Sequence, residues 1–181
     1  DLTPISSMPD LQELFVGQNP IYQIDALAAC TTLQCIDLDD TYVVDISPLN
    51  AEMKRVLLSN TPVIDYSPLL KMKSLRDVFL SSLSQSDLSI LSQLTGLSTL
   101  VLTNSSTSIK PILTLKNLKS LALNDTRLTS IDGIETLERL TYFRVFTEND
   151  IDLTPLTKLP RLGWLDIYKQ PLSDYSFLFR I

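Results

Sequence analysis

The sequence predicts an α/β solenoid, with one parallel β-sheet on a concave face and 3₁₀ or short helical turns on the convex face. Three observations predict it. An apolar frame, L-x-x-L-x-L, begins at Leu11, Leu33, Met53, Leu75, Leu97, Leu118, Leu140 and Leu162, at intervals of 22, 20, 22, 22, 21, 22 and 22 residues. Such a period marks stacked units that bury their apolar faces only against their neighbours. Within each unit the apolar spacing switches from two to three. Finally, 44% of the 181 residues are apolar, enough for a substantial core.

The first complete unit, residues 11–32, displays each element. Leu14 and Val16 stand at offsets 3 and 5 from Leu11. That is the strand period, so a short strand points both inward. Ile24, Leu27 and Cys30 stand at offsets 13, 16 and 19, a spacing that suits a 3₁₀ turn on the opposite side. Ile21, at offset 10, joins the two. Asp recurs at offset 12 as Asp45, Asp65, Asp87, Asp152 and Asp174, where a carboxylate can cap the turn that follows. Pro48, Pro68 and Pro155 stand at offset 15, in the first turn, where a missing N–H is harmless.

Some units depart from this frame. The second loses two residues between Leu49 and Met53, so its closing turn is shorter. The fifth carries the polar run 104–108 in place of an apolar offset 10. Residues 1–10 read as a partial repeat, with Asp1 to Ile5 at offsets 12 to 16 and Met8 at 19. Asp174, Tyr175, Leu178 and Ile181 end the chain in the same phase. Neither end has the polar outer face that a terminal unit needs, so the expectation is one domain over 1–181 cut from a longer chain.

The segments Val44-Asp45-Ile46-Ser47-Pro48-Leu49, Ile64-Asp65-Tyr66-Ser67-Pro68-Leu69 and Ile151-Asp152-Leu153-Thr154-Pro155-Leu156 resemble the I-x-D-I-x-P-L element of the leucine-rich repeat family. The resemblance is to the 22-residue class of bacterial internalins and phosphatase-1 regulatory subunits, and it covers the whole chain. It implies a right-handed solenoid that recognises a protein on its concave face. The family's Asn at offset 8 survives only as Asn19. Thr41, Thr61 and Thr126 replace it, with Leu83, Ser105, Glu148 and Gln170 elsewhere. Thr still bonds backbone groups, with fewer donors and acceptors than an amide.

The net charge of −6 is unevenly spread. Residues 1–52 hold nine acids and no Lys or Arg, while the rest hold 15 basic and 12 acidic groups. An acidic end repels phosphate and so disfavours nucleic acid. It either steers a basic partner or only keeps that end soluble. No apolar run approaches the roughly 20 residues of a membrane helix, so this segment is not expected to insert. Cys30 should lie in the core and Cys35 on an exposed face, with side chains too divergent to bridge.

Offsets 3 and 5 point inward, so offsets 2, 4 and 6 face outward on the sheet. They sort into three zones. Glu13, Asp37 and Asp39 make an acidic zone, and Leu57, Phe79 and Val101 an apolar strip. Tyr142, Phe146, Trp164 and Tyr168 gather around Arg144 and Asp166. Trp, Tyr and Arg dominate binding hot spots. These twelve residues are the candidate partner-binding set, for a protein partner with a basic patch opposite the acids. Two alternatives stand beside that reading. Cross-strand pairs such as Arg144–Asp166 and Arg55–Asp77 stabilise a sheet by themselves, and a second copy could cover the face in a homodimer or spacer array.

Catalytic chemistry is not expected. With no histidine, neither a Ser–His–Asp nor a Cys–His system can be built, and a zinc site lacks ligands. The four glycines are scattered, so there is no phosphate-binding loop. No cofactor is implied. Asp37 and Asp39 supply too few oxygens for calcium, which gathers six or more. Asn104-Ser105-Ser106 and Asn124-Asp125-Thr126 match the N-glycosylation pattern at about the frequency composition alone produces. A cytoplasmic and a secreted or cell-surface location both stay open.

Overall fold

A computed structural model describes residues 2–83, 85–105, 108–124, 127–168 and 176, except the side chains of 85 and 86. The chain divides into two compact units, Asp1–Ser81 and Ser82–Ile181. The terminal phase residues Asp174, Tyr175, Leu178 and Ile181, the offset-8 residues Thr126 and Gln170, and parts of both glycosylation triplets lie outside the described residues.

In the first unit the strands are β1 (Glu13–Phe15), β2 (Cys35–Asp37), β3 (Arg55–Leu58) and β4 (Asp77–Ser81). They pair in parallel and in chain order, with Glu13, Cys35, Arg55 and Asp77 in one register row. In the second unit β5 (Thr99–Thr103), β6 (Ser120–Asn124), β7 (Tyr142–Phe146) and β8 (Trp164–Tyr168) pair likewise. The frame produces this alternation. Ile36 and Leu38, Val56 and Leu58, Val78 and Leu80, and Phe143 and Val145 are all fully buried at offsets 3 and 5. On β8 the same positions, Leu165 and Ile167, are only half-buried.

The helical side follows the spacing of three. 3₁₀ turns occupy Thr3–Ser7, Asp25–Ala29, Ser67–Lys71, Lys110–Thr114, Ile134–Thr136 and Thr154–Lys158. The fourth frame differs and forms a short α-helix, α1 (Gln85–Leu91), over Gln-Ser-Asp-Leu-Ser-Ile-Leu. In the second frame only a hydrogen-bonded turn forms, Pro48 included. The two missing residues are compensated by Asn50. Its Nδ2 donates to the carbonyls of Cys30 (2.8 Å) and Leu33 (3.0 Å), and its Oδ1 accepts from Glu52 N–H.

The offset-12 carboxylates act one position earlier than a helix cap. Asp45 and Asp65 each accept from both the N–H and the hydroxyl of the Ser two residues on, and Asp152 accepts from Thr154 N–H. These are Asx turns that lead the chain into the helical side. Thr41 Oγ1 and Thr61 Oγ1 both donate to the Leu38 carbonyl at 2.7 Å. Asn19 makes the same bond as Thr41, to the carbonyl three residues back, Val16, and a second to that of Gly17. Thr thus does the Asn's work on buried carbonyls at the end of the strand.

One periodic feature has no apolar signature. Gln18, Asp40, Asn60, Ser82 and Asn104, all at offset 7, adopt left-handed backbone with φ between 50° and 59°. Each follows a strand and turns the chain away from the sheet. Gln18, Asp40, Ser82 and Asn104 then donate their N–H to the offset-6 carbonyl of the next repeat, at 2.8–3.0 Å. At Asn60 the Ser81 hydroxyl replaces that carbonyl. The residue types were the available clue, since Asn and Asp tolerate this conformation best among non-glycine residues.

Candidate functional site

The outward positions of β7 and β8 form one connected network. Register pairs Tyr142 with Trp164, Arg144 with Asp166 and Phe146 with Tyr168. The Asp166 carboxylate is the hub. Its Oδ2 accepts from the Tyr142 hydroxyl (2.8 Å) and from Arg144 Nε and Nη2 (3.1 and 2.9 Å), and its Oδ1 accepts from the Trp164 indole (3.0 Å). Those donors, Tyr142 first, then Trp164 and Arg144, hold the carboxyl below its ordinary pKa. Partial burial, with the bond to Asp166, pushes the Tyr142 phenol up.

The aromatic rings frame the guanidinium. Arg144 lies 5.9 Å from the Tyr142 ring centre and 5.8 Å from that of Tyr168, within cation–π range. The Tyr142 and Trp164 rings are 6.4 Å apart at a tilt of 37°. The small Ala122, in register with Arg144, is buried, contrary to the outward exposure its offset predicts. Trp164 remains 63% exposed and Tyr168 54%. The six candidate residues of this zone are therefore brought together, with two large rings still facing solvent.

In the first unit the zones are less unified. Leu57 and Phe79 stand side by side in register, both half-buried. Val101, half-buried, pairs with Ala122 in the second unit. Arg55 and Asp77 form the expected cross-strand pair, at 3.2 and 3.0 Å. Glu13 is exposed, but Asp37 and Asp39 are partly committed to the backbone. Asp37 Oδ1 accepts from Asp39 N–H, and Asp39 Oδ1 accepts from Ser59 N–H. Burial raises the Asp39 pKa, against the bond from Ser59 N–H, which lowers it.

Cys35 requires a correction. It is buried, 6% exposed, and not an exposed thiol, although it stands at an outward offset. It is a small side chain flanked in register by Glu13 and Arg55 of the neighbouring strands. Burial, more than the nearby acids, raises its pKa. Cys30 and Cys35 are both free thiols. Ser81 is likewise buried, because its hydroxyl turns to Asn60 N–H.

Two elements lie beyond the sequence expectation. Asp166 was placed by register, but its role as fourfold acceptor depends on side-chain reach. A row of exposed apolar residues, Tyr22, Tyr42, Val44 and Ile64, lies outside the sheet strands. Its available signal was apolar residues at offset 11 in three successive units, a position the frame leaves free. Among the described residues there is no cluster of three metal-ligating side chains, and no helix is long and apolar enough to cross a membrane.

Neither a family model nor a curated protein matches the chain. Solved structures do. An internalin, inlF, from Listeria monocytogenes is 30% identical with a TM-score of 0.83, over 98% of this chain and 54% of that one. Internalin C2 from the same species is 22% identical, TM-score 0.77, over 96% and 78%. The ectodomain of the Arabidopsis receptor kinase HAESA, solved with the peptide hormone IDA, is 18% identical, TM-score 0.68, over 94% and 32%. The chain spans about half the length of the inlF structure it matches.

Proposed function

Since the chain is a leucine-rich repeat solenoid of the internalin-like class, we propose that it is a protein-interaction module whose partner docks on the outward face of the strands. The observation that carries this is the Tyr142–Trp164–Arg144–Asp166 network with Tyr168 beside it. Trp164 stands 63% exposed at a position the repeat does not require to be apolar. Its indole is locked to Asp166, so little side-chain freedom is left to lose on binding. Tyr142, Phe146, Trp164 and Tyr168 supply apolar area, and Arg144 and Asp166 fix its geometry. Leu57, Phe79 and Val101 add apolar contact. Glu13, Asp37 and Asp39 orient a basic patch on the partner. The HAESA structure, which holds a peptide hormone on the same fold, supports a peptide or protein ligand by analogy of fold alone.

Hydroxyl-radical footprinting tests the location. With a partner protein bound, Trp164, Tyr142 and Tyr168 are expected to lose most of their labelling. Unchanged labelling of all three in a saturated complex would remove the face from the interaction. Sedimentation equilibrium separates the other occupant of the same face: a dimer that dissociates in the W164A–Y142A variant identifies a second copy.

A further inference from the structure

We propose that the first unit carries a second docking surface, off the sheet face, for a protein segment whose Lys or Arg side chains alternate with apolar ones. Tyr22 and Tyr42 stack with ring centres 4.9 Å apart and planes 13° from parallel, yet remain 63% and 54% exposed. Val44 and Ile64 are 43% and 79% exposed. Backbone hydrogen bonds align the row across repeats, Tyr42 N–H to the Ile21 carbonyl and Ile64 N–H to that of Val44.

The fold does not require these side chains. Offset 10 in the first two of these units, Ile21 and Val43, already fills the core, and Val63 in the third is half-buried. Offset 11 of the sixth unit is the polar Thr129, and where that offset does serve the core, at Ile151 of the seventh, the side chain is buried, unlike Tyr22, Val44 and Ile64. Exposed apolar residues in a line, where the repeat does not need them, mark a contact surface.

Charge selects the partner. Asp25, Asp40, Asp45 and Asp65 are exposed on the segments that carry the row, and residues 1–52 contain no Lys or Arg. Four of this unit's five cations are turned to local acceptors, Arg55 to Asp77, Lys71 to the Ser47 carbonyl, Lys73 to that of Leu70 and Arg76 to that of Leu75, while Lys54 is exposed. The tyrosine stack offers a ring face to an ammonium or guanidinium group. An apolar strip under a negative field fits a basic, apolar-interleaved segment, and it repels a second copy of this same acidic end.

The test titrates the full chain with the capped peptide Arg-Leu-Arg-Leu-Arg and, separately, with Glu-Leu-Glu-Leu-Glu, followed by backbone amide shifts. The Arg peptide is expected to shift residues 22, 42, 44 and 64, and the Glu peptide to shift nothing. Y22S–I64S, which alters only exposed groups, should weaken the Arg peptide at least tenfold at unchanged melting temperature. W164A–Y142A should leave it unchanged, which keeps this surface distinct from the sheet face. Shifts centred on Glu13 and Asp37, equal binding of the Glu peptide, or full affinity in Y22S–I64S would overturn the proposal.

Discussion

Tyr142 and Trp164, on adjacent strands, donate to opposite oxygens of one carboxylate, that of Asp166, at 2.8 and 3.0 Å. The chain's one tryptophan is thereby tied to a titratable group. Its emission should report the ionisation of Asp166. The donors lower this carboxyl's pKa, so the network is complete above the ordinary Asp value of about 3.9. It is lost only as pH falls through the lower, folded-state value. A fluorescence titration should show a Trp164 transition with its midpoint below about 3.9, absent in D166N. A midpoint at or above the ordinary value contradicts the hub assignment.

Arg55 and Asp77 make the comparison case. Their pair has the same cross-strand geometry but no aromatic frame, and the Arg55 side chain is half exposed. A double-mutant cycle on R55A and D77A should return a coupling of about 0.2–1 kcal/mol, reduced by salt. A coupling of several kcal/mol would show that the face is far less solvated than its exposure implies.

Asn50 should matter more to stability than its surface position suggests. It holds the shortened turn by two carbonyls and one N–H. N50A is expected to destabilise the chain by about 1–3 kcal/mol in denaturant unfolding, since it strands partly buried backbone groups. An effect below about 0.5 kcal/mol, the scale of an ordinary surface change, would mean that the turn holds itself.

The left-handed ladder yields a prediction of opposite signs. Gln18 adopts φ 59°, so Q18G should be neutral or stabilising by up to about 1 kcal/mol. N60V, which places a β-branched residue at φ 55° and removes the bond from Asn60 Nδ2 to Asp40, should cost about 1–2 kcal/mol. Equal effects of the two substitutions would deny that backbone conformation governs this position.

Cys35 should be a slow thiol. Burial raises its pKa, and the thiolate is the reactive form. Disulfide-exchange labelling near neutral pH should be slow in the folded chain and fast in denaturant. Rapid labelling of folded Cys35 would return it to the exposed surface.

The core and the strand alternation were legible because burial repeats. Leu, Ile and Val at offsets 3 and 5 leave no second way to orient a strand. Register pairs such as Arg144–Asp166 followed from the same count. The left-handed turns at Gln18 and Asp40 were hidden because they depend on backbone conformation and not on hydropathy. Cys35 departs from the count because an outward direction does not by itself expose a small side chain set between two neighbouring strands. The stacked Tyr22 and Tyr42 occupy different offsets, 11 and 9, so a column-by-column count separates two rings that the structure puts in contact.

The most direct test is the dissociation constant of a partner protein for the intact chain and for W164A–Y142A, with melting temperature as a control on folding. Truncation of two central aromatic anchors is expected to cost at least about 2 kcal/mol, near thirtyfold in affinity. An unchanged constant in a folded variant would contradict the claim that this end of the sheet face is the recognition surface.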